Sequence, residues 1–147
     1  MTETTATVQL TADVICIRGG DMLLIERAWP PYEGLFALPG GYVEPGETFR
    51  AAAVRELREE TGVRIAEDDL ALVGVYDRPD RDPRGRFVSV AYMATVPDDA
   101  TAQAGDDAAA VRWTPLATFH DALAFDHSQI VADARHLLAG GNDPGEH

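Results

Sequence analysis

A chain of 147 residues, 46% of them hydrophobic, is long enough for one compact domain and too apolar for a disordered protein. No run approaches the roughly 20 apolar residues of a membrane helix, and an acidic start without Lys or Arg is not typical of a signal peptide, so we expect a cytoplasmic protein that stays out of membranes. A net charge of −13 without a domain-wide basic face disfavours a nucleic-acid partner.

The first predicted element is a strand at residues 8–17, an apolar and partly β-branched segment. It contains Cys16, the only cysteine, which excludes an internal disulfide and a multi-cysteine zinc site and is expected to be a buried packing residue. A glycine turn at 19–21 leads into a strand at 22–27, and a loop with paired prolines precedes a short strand at 36–38.

Residues 49–60 predict a helix because they lack Gly and Pro and are rich in Ala, Arg, Glu and Leu. Thr48 is a candidate N-cap, and Gly62 is placed to end this helix. The last predicted element is a helix at 127–139, with apolar residues at helical spacing. The strands predicted between the two helices are 70–76, 87–96 and 108–113.

Strands combined with two helices predict an α/β or α+β fold, a sandwich with the sheet covered on both faces. The sequence contains no repeat and no low-complexity linker, so we expect a single domain over residues 1–147. We expect flexible ends at 1–6 and 141–147. The acidic residues of the second end are explained by the solubility that surface charge gives a protein.

Three glutamates share one face of the helix predicted at 49–60. At about 100° per residue, Glu56, Glu59 and Glu60 fall within an arc of roughly 100°, beside the apolar arc that faces the core. Like charges at this spacing repel each other, and the repulsion grows beside apolar surface, where screening falls. A bound divalent cation would relieve it, and oxygen ligands favour Mg²⁺ or Mn²⁺. Taken alone, the three residues also suit an acidic, solvated helix with Arg–Glu pairs.

Two further residues adjoin these glutamates. Arg55 lies four residues before Glu59, where it can orient a carboxylate by a charge-assisted hydrogen bond. Glu47, just before the helix, can hold Arg55 from the other side or reach a metal itself.

Residues 41–63 follow a defined spacing: Gly, five residues, Glu, seven residues, then Arg-Glu-aliphatic-any-Glu-Glu-any-Gly-aliphatic. This pattern resembles the Nudix box, and a match of that length does not arise readily by chance. The nine defined positions are Gly41, Glu47, Arg55, Glu56, Leu57, Glu59, Glu60, Gly62 and Val63.

The resemblance implies a metal-dependent hydrolase of nucleoside diphosphates linked to another moiety, with a mixed sheet between helices. It implies Mg²⁺ as cofactor, with Mn²⁺ able to substitute, and Glu56 and Glu60 as the main ligands. The implied ligand set is the backbone carbonyl of Gly40 with Glu56, Glu59 and Glu60. The implied catalytic residues are Glu47, Arg55, Glu56 and Glu59.

The general base stays open at this point. Glu56 is one candidate, and Asp106 or Asp107, in the loop before the strand at 108–113, is another. An ordinary turn is the alternative explanation for each aspartate.

Arginines and aspartates alternate in a loop over residues 77–86, so local pairing in a polar loop is one interpretation. The stretches 82–92 and 124–127, however, resemble Nudix proteins of the ADP-ribose pyrophosphatase type. That resemblance implies that Arg84 or Arg86 holds phosphate or ribose, a role that suits guanidinium donors.

Other candidates for substrate contact lie elsewhere in the chain. Arg27, at the end of a predicted strand, is a candidate phosphate ligand. Tyr76, Trp29 and Tyr42 are candidates for stacking on a base, although packing is the alternative for each of them.

The favoured hypothesis is an ADP-ribose or nucleotide-sugar pyrophosphatase that acts on a small nucleotide and releases AMP and a sugar phosphate. The runner-up is a nucleoside triphosphate pyrophosphohydrolase that clears damaged nucleotides. An alternative of another class is a non-catalytic ADP-ribose-binding sensor, although such domains usually carry a damaged box. The resemblance also implies a homodimer, with the first strand as a candidate contact.

Overall fold

The computed structural model of the chain describes residues 6–105 and 107–140. Within these residues the polypeptide forms seven β-strands, two α-helices and one 3₁₀-helix at Glu67–Asp69. None of these helices is long and apolar enough to cross a lipid bilayer. The expected flexibility at 1–5 and 141–147 falls outside the described residues. In chain order the elements are β1 (Val8–Arg18), β2 (Asp21–Arg27), β3 (Phe36–Ala37), β4 (Gly40–Tyr42), α1 (Phe49–Thr61), β5 (Ala71–Tyr76), β6 (Arg86–Val96), β7 (Ala108–Pro115) and α2 (His127–Leu138).

Strand β1 runs through the centre of the sheet, and its side chains alternate between two cores. Ala12, Val14 and Cys16 pack with the apolar side of α1, whereas Ile15 and Ile17 pack with α2 on the opposite face. Successive side chains of a strand point to opposite faces, so a strand covered on both faces is apolar along its length. The structure therefore confirms the predicted sandwich, a mixed sheet between helices.

Cys16 has no exposed surface, which confirms its prediction as a packing residue. Burial raises the pKa of its thiol to about 12. Because the reactive form of cysteine is the thiolate, this side chain stays inert at neutral pH.

The sheet has the strand order β3-β2-β1-β6-β5, with β4 paired to β1 and β7 paired to β2. Strands β1 and β6 run parallel along their whole length. On its other edge β1 changes partner, because residues 11–13 pair with β4 whereas Ile17 and Arg18 pair with β2. Residues from β2 and from β4 line a cleft at this change of partner.

Helix α1 begins and ends as the sequence predicts. The Thr48 side chain accepts a hydrogen bond of 3.0 Å from the backbone N–H of Ala51. At the other end, Gly62 adopts a left-handed φ of 75° and donates its N–H to the carbonyl of Arg58 at 2.8 Å. The helix packs against β1 and β4, which brings its last turns to the cleft.

Strand β4 is the main departure from the sequence-based expectation, which included no strand at residues 40–42. Its residues, Gly-Gly-Tyr, have little intrinsic preference for a strand. The strand forms because β1 offers an edge on which residues 40–42 pair. Tertiary pairing therefore overrides local propensity here.

Candidate active site

The cleft has a volume of about 320 Å³ and lies between β4, the second half of α1, the loop before β6 and the start of α2. Its lining combines three kinds of side chain, and each kind comes from several elements. The acidic residues are Asp13, Glu56, Glu60, Asp82 and Asp107. The basic residues, apart from His127, are Arg27, Arg81 and Arg84. The aromatic residues are Trp29, Tyr42, Phe87 and Phe125.

Arg55 is the hub of a network of charged hydrogen bonds on α1. Its Nε and Nη2 donate to the two carboxylate oxygens of Glu47 at 2.7 and 2.9 Å. Its Nη1 donates to Glu56 at 2.7 Å and to Glu59 at 3.1 Å, and Nη2 also donates to the carbonyl of Tyr42 at 2.8 Å. One guanidinium therefore gathers three glutamates and connects α1 to β4.

Glu47 forms an ion pair with Arg55 in which both of its carboxylate oxygens accept hydrogen bonds. Hydrogen bonds from Arg55 and from the backbone N–H of Glu44 lower the pKa of Glu47 to about 2. The hydrogen bond to Glu47 in turn raises the pKa of Arg55 above its ordinary value, so both side chains stay charged. Of the two roles considered for Glu47, its position fits that of a partner for Arg55.

Glu56 and Glu60 both line the cleft, and their carboxyl groups are close enough for each to shift the pKa of the other. Burial raises the pKa of Glu60 well above its ordinary value, and the charge of Glu56 raises it further. Burial also raises the pKa of Glu56, although the hydrogen bond from Arg55 opposes this effect. Neighbouring charged carboxylates, one buried and one partly buried, repel each other unless a proton or a cation lies between them.

The pair fits a hard divalent cation. All its donors are oxygen atoms, and the backbone N–H of Gly40 gives Glu60 only a long hydrogen bond of 3.4 Å. Gly41 makes room for the pair, since a Cβ there would lie 2.6 Å from the Glu56 carboxyl carbon. A side chain at 41 would displace the Glu56 carboxyl, which accounts for glycine at this position.

Glu59 takes a different position from the one that the helical wheel suggests. Its side chain is 52% exposed and is held by Arg55 in an i,i+4 pair, outside the lining of the cleft. Across residues 6–105 and 107–140, no group of three or more His, Cys, Asp or Glu side chains is arranged to hold a metal. The structure thus brings Glu56 and Glu60 together and leaves Glu59 on the solvent side of Arg55.

The loop before β7 carries one candidate base into the cleft. The backbone N–H groups of Gly105 and Gln103 donate to the carbonyls of Glu60 and Thr61 at 2.8 and 2.9 Å, which docks this loop on the end of α1. Asp107 lines the cleft, as does Glu56. Asp106 lies outside the described residues.

Two arginines face the cleft around one aromatic ring. The guanidinium carbons of Arg27 and Arg84 lie 4.8 and 5.6 Å from the ring centre of Phe125. Burial lowers the pKa of Arg27, and the charge of Arg84 lowers it further. Two neighbouring guanidiniums in a partly buried cleft form a favourable site for an anion such as phosphate.

Aspartates pair with arginines of the loop at residues 77–86, as the polar-loop interpretation predicts. Arg81 is buried and donates to both carboxylate oxygens of Asp126 at 2.9 and 2.6 Å. Arg84 donates to the buried Asp82 at 3.1 and 2.8 Å but remains 40% exposed. Local pairing therefore fixes the loop and leaves Arg84 available at the cleft.

The structure does not bring Tyr76 or Arg86 into the cleft. The Tyr76 hydroxyl donates to Asp133 on α2 at 2.7 Å, so its ring packs below the sheet. Arg86 begins β6 outside the cleft lining. Trp29 and Tyr42, in contrast, line the cleft and remain 64% and 46% exposed, which leaves their rings free to stack on a base.

The cleft residues to which sequence reasoning assigned no role include Asp13, Phe125 and His127. Asp13 carried a detectable signal, because it is a charged residue within the apolar run of β1. Phe125 and His127 lie in the stretch 124–127, whose resemblance to ADP-ribose pyrophosphatases marked it without indicating what either side chain does.

Comparison with known proteins agrees with this geometry. The NUDIX domain family matches residues 7–134. The ADP-ribose pyrophosphatase of Methanocaldococcus jannaschii is 43% identical over 124 residues, which cover 84% of this chain and 71% of that protein. The chain spans less than half the length of several other curated relatives that it matches.

Two solved structures have similar folds. One is a bifunctional NMN adenylyltransferase/ADP ribose pyrophosphatase from Francisella tularensis, complexed with AMP and a Mn ion, with a TM-score of 0.78 and 31% identity over 95% of this chain and 44% of that chain. The other is the NUDIX domain of Shewanella oneidensis NrtR complexed with ADP ribose, with a TM-score of 0.77 and 28% identity over 92% and 90% of the two chains. With the family match over residues 7–134 and the box residues gathered at one cleft, the chain belongs to the NUDIX domain family.

Proposed function

We propose that this NUDIX hydrolase cleaves the diphosphate bond of ADP-ribose, or of a related nucleotide sugar, in a reaction that depends on a divalent metal. One observation carries the proposal: a single cleft joins the carboxyls of Glu56 and Glu60 to the guanidiniums of Arg27 and Arg84. The carboxyls suit a cation and the guanidiniums suit phosphate, so a diphosphate is the ligand that fits between them. Similarity to an ADP-ribose pyrophosphatase supports ADP-ribose among such diphosphates.

In the proposed reaction, water attacks one phosphorus of the diphosphate, and the bond from that phosphorus to the bridging oxygen breaks. The water oxygen stays on the attacked phosphate, and the bridging oxygen leaves with the other phosphate. ADP-ribose then yields AMP and ribose 5-phosphate. The water proton passes to a carboxylate, and both Glu56 and Asp107 line the cleft where it is released.

Glu56, Glu60 and the backbone carbonyl of Gly40 are the proposed metal ligands, with Arg55 and Glu47 orienting Glu56. We propose Mg²⁺, with Mn²⁺ able to substitute, because the ligands are all oxygen atoms. When bound, the ion neutralises charge on the diphosphate and lowers the pKa of water. The Mn ion in the Francisella tularensis structure supports this choice of metal class.

The chain's own side chains bind the rest of the substrate. Arg27 and Arg84 neutralise the diphosphate from the side of the cleft around Phe125. Trp29 and Tyr42 present exposed rings for the base. Holding both ends of the substrate orients the diphosphate for attack by water.

Three residues expected at the site take no direct part in this proposal. Glu59 pairs with Arg55 at the surface of α1, so it acts on the site through that guanidinium. Tyr76 and Arg86 lie outside the cleft lining, so the proposal gives them no contact with substrate.

The proposal includes a cytoplasmic homodimer with β1 as the contact. The first half of β1 carries two large apolar side chains on the surface, Val8 and Leu10, which are 46% and 42% exposed. Neighbouring exposed apolar residues of this kind are typical of protein–protein contacts.

Turnover of a substrate panel tests the proposed activity. With Mg²⁺ present, we expect kcat/KM to be highest for ADP-ribose among ADP-ribose, nucleotide sugars, dinucleotides and nucleoside triphosphates. The products should be AMP and ribose 5-phosphate, and the same preparation in EDTA should show no turnover, which controls for metal-independent contaminants.

Two outcomes would contradict the proposal in different ways. Much faster cleavage of triphosphates would favour the damaged-nucleotide hydrolase. Tight binding of ADP-ribose without turnover in Mg²⁺ would favour a sensor, a function for which the ADP ribose complex of the NrtR NUDIX domain is the supporting observation.

A further inference from the structure

A buried polar cluster lies at the floor of the cleft and takes no part in the chemistry proposed above. It consists of His127 at the start of α2, Asp13 on β1 and Ser89 on β6, each more than nine-tenths buried. We call these three residues the His127 cluster. Buried polar groups oppose folding unless they are hydrogen-bonded, so the contacts of this cluster indicate what it holds in place.

The cluster forms a continuous chain of contacts. The backbone N–H of Leu38 donates to His127 Nδ1 at 3.0 Å, so the neutral imidazole carries its proton on Nε2. That Nε2 faces Asp13 Oδ1 at 3.6 Å, which is an electrostatic contact longer than a hydrogen bond. On the other side, Ser89 Oγ donates to Asp13 Oδ2 at 2.5 Å. Burial lowers the pKa of His127, which agrees with a neutral ring that accepts from Leu38.

The same chain reaches the active site through Gly40. Asp13 pairs with Gly40 in the register of β1 and β4, and a Cβ on Gly40 would lie 2.4 Å from Asp13 Oδ1. The Asp13 carboxylate therefore packs directly against the backbone of Gly40. The N–H of Gly40 in turn donates to Glu60 Oε1 at 3.4 Å.

Three consecutive residues, the two before β4 and the first residue of β4, are thus each held by a contact. Leu38 is held by His127, and the carbonyl of Pro39 accepts the N–H of Val14 at 2.9 Å. Gly40 is held between Asp13 and Glu60. A segment fixed at each residue has little freedom to shift relative to α1.

We infer that His127 and Asp13 are positioning residues that hold residues 38–40 against Glu60 and thereby set the geometry of the proposed metal site. This inference rests on the proposed function, which assigns Glu60 and the Gly40 carbonyl to the metal. Such supporting residues are worth about 10- to 100-fold in metal affinity or activity in other metal sites.

The start of α2 has other anchors, so His127 is not required to dock the helix. Arg81 donates twice to Asp126, the residue before His127. Ser128, the residue after it, accepts the N–H of Leu123 at 3.1 Å. Among Asp126, His127 and Ser128, only His127 accepts the backbone N–H of Leu38.

Binding of Mn²⁺, measured as loss of the free-ion signal in electron paramagnetic resonance, tests the inference in the full chain. We expect His127→Ala to bind Mn²⁺ about 10- to 100-fold more weakly and to lose kcat toward ADP-ribose with little change in KM. His127→Asn should restore much of both, because its Oδ1 can take the place of Nδ1 as acceptor for Leu38.

Ser128→Ala is the matched control. It removes the same kind of bond, a backbone N–H to a side chain of α2, but one that faces a second cavity lined by Leu123 and Ser128. We expect this variant to lower the melting temperature without changing Mn²⁺ affinity.

If His127→Ala does not fold, Ser89→Ala provides a smaller change in the same cluster, and we expect it also to weaken Mn²⁺ binding.

Folded His127→Ala or Ser89→Ala with wild-type Mn²⁺ affinity would overturn the inference, as would equal losses in Ser128→Ala. The proposed function fails separately, when wild-type protein binds Mn²⁺ but does not turn over ADP-ribose. In that case the Mn²⁺ affinities of the variants still decide the inference.

Discussion

Glu60 and Glu56 belong to one carboxyl pair but have different surroundings. Glu60 is buried beside Glu56, and its hydrogen bond from Gly40 is long, so burial raises its pKa strongly. Glu56 instead accepts a short hydrogen bond of 2.7 Å from Arg55, which stabilises its charged form. The pKa is therefore raised in both carboxyls and most strongly in Glu60, and a bound cation would favour the charged form of each.

Substitution of either member of the pair tests the proposed role of the two carboxylates. Replacing Glu56 or Glu60 by Gln removes a charged ligand while keeping size and hydrogen-bonding capacity. We expect each variant to lower kcat toward ADP-ribose by about a thousandfold, because several kcal/mol of charge stabilisation by the metal is lost. Initial rates in saturating Mg²⁺ measure the effect.

Glu67→Gln is the control for this pair of variants. Glu67 is an exposed carboxylate on the 3₁₀-helix, outside the cleft lining, so its replacement should leave kcat unchanged. Near-wild-type rates in both Glu56→Gln and Glu60→Gln would refute the ligand assignment.

Among the secondary-structure elements, α1 was the most predictable. Its N-cap Thr48, its terminal Gly62 and its apolar side are local features, and local chemistry determines where a helix begins and ends. The helical wheel also predicted that its glutamates share a face. The i,i+4 spacing also predicted the contact of Arg55 with Glu59, but not that Glu59 would lie outside the cleft lining, because a wheel shows the direction of a side chain and not its exposure.

Strand β4 was not predictable from local chemistry. It forms only where β1 passes next to it, and sequence spacing does not show that proximity. Because β4 packs against both Asp13 and Glu60, missing this strand also meant missing the link between the His127 cluster and the proposed metal site.

The substrate side of the cleft illustrates the same limit. Arg27, Arg84 and Phe125 come from three separate segments, and only the folded chain places their side chains around one another. Tyr76 was a reasonable candidate by residue type, but its direction on β5 turns it toward Asp133 of α2. Residue type and spacing identified the chemistry of the box, while tertiary packing selected which other residues join it.

At the scale of the whole molecule, charge is distributed in a way that suits an anionic substrate. The chain carries a net charge of −13, yet Arg27, Arg81 and Arg84 all line the cleft. Asp126 pairs with the buried Arg81, whereas Arg84 remains 40% exposed although it pairs with Asp82, so Arg27 and Arg84 are the guanidiniums that a substrate can reach. In the proposed reaction, these two guanidiniums and a bound metal overcome the repulsion that the acidic surface imposes.

Association of two chains is a prediction at this scale. The exposed Val8 and Leu10 on β1 predict a homodimer whose contact includes this strand. Light scattering on the purified chain should give the mass of two chains, and Val8→Asp combined with Leu10→Asp should give the mass of one. A single-chain mass for the wild type at all concentrations would contradict the proposed dimer.

The proposed function depends on a divalent ion held by Glu56 and Glu60 at the cleft. Anomalous diffraction from crystals soaked in MnCl₂, collected at the manganese absorption edge, would locate this ion. We predict an anomalous peak within coordination distance of both carboxylates, and loss of that peak in Glu60→Gln crystals treated in the same way. A fully soaked wild-type crystal with no peak beside these two side chains would show that the two carboxylates do not bind the ion.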